Sequence, residues 1–106
     1  MIIIAKILYF ITDMDLAGIR LALEYNSEHK DSDVGICLLQ DAVYFASKGK
    51  RDGHVAEAIK GGISVHVTKR DVELRGLTKL LHEETKVLDY SQIIDLVLTY
   101  ERIVNI

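Results

Sequence analysis

Apolar runs and helical patterns alternate along the whole chain. Ile2 to Ile11 is rich in β-branched and aromatic residues, and a first buried strand is expected within it. Thr12 to Asp15 supplies turn and cap chemistry, and Leu16, Ile19 and Leu23 follow at helical spacing, predicting a helix to about residue 28. Val34 to Leu39 is apolar on both faces, as in a central strand of a parallel sheet. Asp41 then opens a short helix carrying Ala42, Phe45 and Ala46, and residues 49–53 read as a loop. A second short helix from His54 to Lys60 ends at Gly61 and Gly62, where glycine accepts the left-handed conformation of a helix terminus.

Ile63, Val65 and Val67 alternate with Ser64, His66 and Thr68, the period of a third strand. Thr68 and Asp71 have the spacing of a capping box, with aspartate in place of glutamate, and Gly76 should stop the helix they open. Lys86 to Tyr90 is a fourth strand. Ser91 is the expected cap of a last helix, with Ile94, Val97 and Leu98 as its buried stripe, Ile93 and Tyr100 flanking, and Asp95, Thr99 and Arg102 facing water. Alternating strands and helices give an α/β fold: a mostly parallel sheet of four to five strands with helices on both faces. The 106 residues fit one domain, 1–106, with no linker or repeat.

Composition narrows the function. At 49% hydrophobic and 27% charged residues the chain can fill a core, and disorder is excluded. A net charge of −3 provides no global field for nucleic acid or an anionic membrane, so RNA contact is expected only indirectly. Lys6 interrupts the first apolar run, which falls short of the ~20 residues that span a bilayer. A strand is therefore expected there rather than a signal peptide or membrane segment, and a reducing, cytoplasmic setting suits a chain with one cysteine.

Ligand sites in open parallel sheets lie outside the carboxyl ends of the strands. The segments there (12–15, 40–43, 68–71 and 89–91) carry no glycine-rich phosphate loop, and no cofactor is expected. Asp13, Asp15 and Asp41 are read as helix caps rather than a phosphoacceptor cluster. Cys37, the one candidate sulfur nucleophile, lies inside the second strand, roughly 10 Å short of its end at strand rise. A buried core cysteine is favoured over a sulfur carrier. One cysteine and no HExxH spacing argue against a metal site, and none is expected. His66 is expected to be hydrogen-bonded beneath a helix, and His29, His54 and His82 to sit on solvated helix ends. Lys48, Lys50 and Arg51 follow the second strand and Lys69 and Arg70 the third, two basic clusters read first as a solvated loop and helix start, and otherwise as a place along one edge for an acidic partner or, weakly, an RNA backbone.

Leu38 to Val43, which includes Gln40 and Asp41, resembles the LLQDGV-type signature of the DsrH/TusB proteins. The likeness continues at Val65 to Thr68, at Asp71 to Leu77 with its Arg75-Gly76 pair, and at Leu88, Asp89 and Tyr90, covering roughly residues 34 to 100 in order and spacing. The resemblance implies a DsrE-like fold and small subunits that assemble into oligomers. It further implies persulfide transfer between paralogous chains, leading to 2-thiolation of the tRNA wobble uridine or to sulfur oxidation. In the DsrE/TusD branch the sulfur-accepting cysteine follows the third strand; here that loop is Thr68 to Asp71, without cysteine, and Met14 to Glu28 also has none. The resemblance thus points to an accessory subunit working with DsrE/DsrF-like paralogues or with copies of itself. The alternatives are a stand-alone sulfurtransferase using Cys37 and a homo-oligomeric binding module.

Overall fold

The computed structural model describes residues 5–50 and 54–106. Strands β1 (Lys6–Ile11), β2 (Asp33–Leu38), β3 (Ser64–Thr68), β4 (Lys86–Leu88) and β5 (Arg102–Asn105) form one sheet in the order β4-β3-β2-β1-β5. Every pairing is parallel. Helices α1 (Ala17–Glu28), α2 (Val55–Lys60), α3 (Lys69–Leu74) and α4 (Tyr90–Thr99) and a 3-10 helix (Gln40–Ala46) connect them.

Chain direction places the layers. From β1 to β4 each strand is added on the same side, so right-handed crossovers lay α1, the 3-10 helix, α2 and α3 on one face. The step from β4 back across the sheet to β5 reverses, so α4 lies on the other face, alone among the helices of the described residues. The main core fills the first side: Ile7, Tyr9, Ile11, Val34, Ile36, Leu38, Val65 and Val67 of the strands meet Ile19, Phe45, Val55 and Val72. Alternate residues, including Leu8 and Cys37, point to the α4 side and are also buried.

Several local expectations need correction. Arg102 belongs to β5, not to the last helix, which ends at Thr99. Asp89, not Ser91, caps α4: its Oδ1 accepts from the Gln92 amide at 2.9 Å, while Gln92 Oε1 accepts from the Asp89 amide at 2.9 Å. The expected buried stripe is also displaced. Ile93 is the buried residue of α4, whereas Ile94 and Leu98 are exposed, because the helix rolls to present the 93/97 line to the sheet. The segment opened at Gln40 is 3-10 rather than α. Thr68 and Asp71 do bond to each other, but side chain to side chain, with no side-chain cap on the α3 backbone.

Candidate functional site

The connections from β3 and β4 leave the sheet toward opposite faces, which opens a crevice at their carboxyl ends, the place where open α/β sheets take ligands. A cavity of about 290 Å³ lies there, lined by Leu39, Thr68, Lys69, Arg70, Asp71, Leu88, Tyr90 and Ile93. Beside it runs a polar bridge between the chain after β2 and the start of α3. The Asp71 carboxylate accepts from the Gln40 amide at 2.8 Å and from the Thr68 hydroxyl. Arg75 reaches both sides, donating through Nη2 to Asp41 at 2.8 Å and through Nη1 to Asp71 at 3.4 Å. Partial burial works to raise the Asp71 carboxyl, but the Thr68 and Gln40 hydrogen bonds and the Arg75 charge outweigh it and hold it below its ordinary value. Arg75 is held above its own, first by the hydrogen bond to Asp41. Gln40 carries a left-handed backbone at φ 52° with an exposed side chain, a conformation glycine adopts more easily.

A second constellation lies under α4. Strand register places Phe10, Cys37, His66 and Lys86 side by side in one row on that face. Cys37 is 0% exposed, and burial pushes its thiol up to about 12, so it is protonated and shielded. His66 is 4% exposed, and neither ring nitrogen has a hydrogen-bond partner, contrary to the bonded histidine expected there. Burial, with the Lys86 charge adding to it, lowers its pKa to about 4, so the ring is neutral at pH 7. A neutral imidazole beside a neutral thiol is a packed row, not a thiolate–imidazolium pair.

The remaining candidates are dispersed. Asp13 Oδ1 accepts from the Asp15 amide at 3.1 Å and Asp15 Oδ1 from the Ala17 amide at 2.9 Å, local turns at the entry to α1. Asp41 is engaged by Arg75 instead of capping. Among the described residues no three His, Cys, Asp or Glu side chains gather as a metal site. His29 stacks on Tyr25, and His54 pairs with Glu57 at 2.9 Å. Lys48 is exposed, its amide bonded to the Leu80 carbonyl, whereas Lys69 and Arg70 line the crevice, so the two basic clusters occupy different settings. Arg51 lies outside the described residues. Gly76, with φ 66°, ends the α3 segment as its type allows. Asp89 is occupied by its cap, and the hydrogen bond from the Gln92 amide holds its carboxyl low. Sequence reasoning missed the linking role of Arg75, which spans 34 residues to reach Asp41 and leaves no local signal. The Asp89–Gln92 capping box was missed as well, the cap having been expected at Ser91, although the spacing of the two residues carries its signal.

The family model described as DsrH-like protein matches residues 17–103, from the start of α1 into β5. The chain belongs to the DsrH-like family. Its fold is DsrE-like, as structural comparison bears out. The ychN protein from E. coli superposes with a TM-score of 0.86 at 15% identity, covering 97% of this chain and 100% of that one. A conserved protein of unknown function from Bacteroides thetaiotaomicron, BT1422, gives a TM-score of 0.79 at 15% identity, covering 96% and 95%. No curated protein sequence matches the chain. Family membership connects this DsrH-like chain with sulfur-relay proteins in general. Of the residues on which the resemblance was read, Gln40, Asp41, Arg75 and Gly76 belong to the bridged segments beside the crevice, and Asp89 and Tyr90 stand at the start of α4. Among the described residues no helix is long and apolar enough to cross a membrane.

Proposed function

We propose that this DsrH-like chain is an accessory subunit of a cytoplasmic sulfur-relay complex, supporting a cysteine-bearing DsrE/DsrF-like paralogue rather than carrying sulfur itself. The observation that carries this reading is the state of its one cysteine. Cys37 is enclosed between the sheet and α4 with its thiol pushed up to about 12, and a relay cysteine needs an exposed, stabilised thiolate. The junction from β3 into α3, Thr68 to Asp71, has no cysteine to take that role. The chain's contribution is then shape and contact, with the basic residues Lys48, Lys50, Arg51, Lys69 and Arg70 as candidates for contact with an acidic partner. The products served are 2-thiolated tRNA or oxidised sulfur, with RNA reached only through the partner.

Co-expression with the DsrE/DsrF-like paralogues of the same genome tests the reading directly. A stoichiometric complex that transfers persulfide sulfur faster with this subunit than without it is the expected result. The chain incubated alone with a persulfide donor should show no added sulfur on Cys37 by intact mass. Sulfur gained on Cys37 of the folded chain, or no complex with any paralogue, would refute the accessory role.

A further inference from the structure

At the β4 edge of the sheet, on the α4 face, lies a cavity of about 310 Å³. His66 of β3 belongs to its lining, with Lys86 and Leu88 from β4 on one wall and Gln92, Asp95 and Thr99 from α4 on the other. His66 is 4% exposed, and neither of its ring nitrogens has a hydrogen-bond partner. Buried polar atoms are nearly always paired, so an unpaired imidazole in a cavity lining is a group that a hydrogen-bonding ligand can satisfy. The charges on the two walls are unpaired as well. Among the described residues neither Lys86 nor Asp95 forms an ion pair, with each other or with any other group. The Lys86 charge does reach the His66 ring and, together with burial, keeps it neutral at pH 7.

We propose that this cavity binds a free α-amino acid with an uncharged polar side chain, its carboxylate meeting Lys86, its ammonium Asp95 and its side chain the ring of His66. A zwitterion answers both walls at once. A simple anion would face the Asp95 carboxylate, and a simple cation would face Lys86. The neutral groups of α4 extend the same match. Gln92 Oε1 is taken by the Asp89 amide, which leaves the Gln92 amide nitrogen to donate. The Thr99 hydroxyl donates to the Leu96 carbonyl at 2.7 Å, which leaves its oxygen to accept. A neutral imidazole has one N–H that donates and one nitrogen that accepts. Carboxamide and hydroxyl groups can serve both; an ionised carboxylate only accepts, and an apolar side chain leaves both nitrogens unpaired. So few ligand atoms in an open site give weak binding, with a dissociation constant on the order of 1 mM. The site goes beyond the sulfur-relay reading and does not depend on it.

NMR titration of the isotope-labelled chain with L-glutamine, L-asparagine, L-serine and L-threonine tests the site. At least one of them should saturate shifts confined to β3, β4 and α4 and move the His66 ring signals. N-acetyl-L-glutamine lacks the ammonium charge and L-glutamine amide lacks the carboxylate charge, so each should bind about fivefold more weakly than L-glutamine. Lys86 and Asp95 are exposed, so Lys86→Gln and Asp95→Asn leave the core intact and should each weaken binding about fivefold. L-methionine matches L-glutamine in length without the carboxamide and should bind about tenfold more weakly to the wild type. In His66→Leu that preference should vanish. No shift with any of the four amino acids at roughly ten times the expected dissociation constant overturns the proposal. So does binding that is indifferent to Lys86→Gln and Asp95→Asn, or a preference for glutamine over methionine that survives His66→Leu. None of these results touches the relay reading, which rests on Cys37 and on paralogue co-purification.

Discussion

His66 is a polar residue buried without a hydrogen-bond partner. It is buried between Cys37 and Lys86 with both ring nitrogens unpartnered, and its pKa is lowered from 6.5 to about 4. The unfolded chain therefore takes up a proton at a pH where the folded chain does not, so stability present above pH 6.5 declines as the pH falls toward 4. The full shift corresponds to on the order of 3 kcal/mol. Asp71 and Asp89, both held below their ordinary 3.8, act in the same direction at still lower pH, which separates the two windows. Urea unfolding at pH 7.5 and 4.5 should show the wild type losing roughly 2–3 kcal/mol more than His66→Leu, which removes the titrating group. Equal losses in the two proteins would mean that His66 is not the acid-sensitive group.

At the scale of elements, the seam between β2 and the end of α4 rests on the absence of a side chain. Gly35 lies beneath the Tyr100 ring, and a Cβ there would stand 2.9 Å from Tyr100 Cζ and 3.1 Å from Leu8 Cδ1. Neither neighbour retreats freely: Tyr100 is half-buried and Leu8 fully so. Gly35→Ala should therefore destabilise by about 1–2 kcal/mol, the usual scale of overpacking, although alanine is otherwise the better strand residue. In a Tyr100→Ala background the same change should do little harm, a coupling that denaturation of the four proteins of a double-mutant cycle reads directly. Additive effects would place the strain elsewhere. Because Ile93 is the one buried residue of α4, this seam and the Asp89 cap do much to hold the helix in place.

For the whole molecule, the reversal at β4 decides the architecture. By crossing back to pair with β1, β5 covers an edge that would otherwise stand open: Lys6 O accepts from the Glu101 amide and Phe10 O from the Ile106 amide, both at 3.0 Å. Val104 and Ile106 also pack against the main core. Deleting residues 101–106 should expose the β1 edge and remove roughly 2–4 kcal/mol of apolar burial, a large part of a small domain's stability. The shortened chain is expected to move into the insoluble fraction or to melt without a cooperative transition, since open edges invite aggregation. A soluble variant with an unchanged melting temperature would show that β5 is dispensable.

Much of this was legible in the chain because local signals sufficed. Period-two alternation marked β3, an unbroken apolar run marked β2, helical spacing marked α1, and the order of elements implied a parallel sheet. Three of the four segments that resemble the family, at Gln40–Asp41, Arg75–Gly76 and Asp89–Tyr90, fall at or beside the ends of elements, and the fourth lies within β3. What local pattern left open was set by contacts between distant residues. The roll of α4 follows from which line of its apolar residues meets the sheet, and with Ile93, Ile94, Leu96, Val97 and Leu98 crowded into six positions the periodicity allowed more than one answer. Arg75 joins Asp41 and Asp71 only because β2 and β3 lie side by side, and β5 becomes a strand because the β1 edge is there to receive it. Register alone sets Cys37 next to His66 beneath a helix. One-dimensional order determined the elements and their sequence; three-dimensional packing decided which groups are shielded, paired or left facing water.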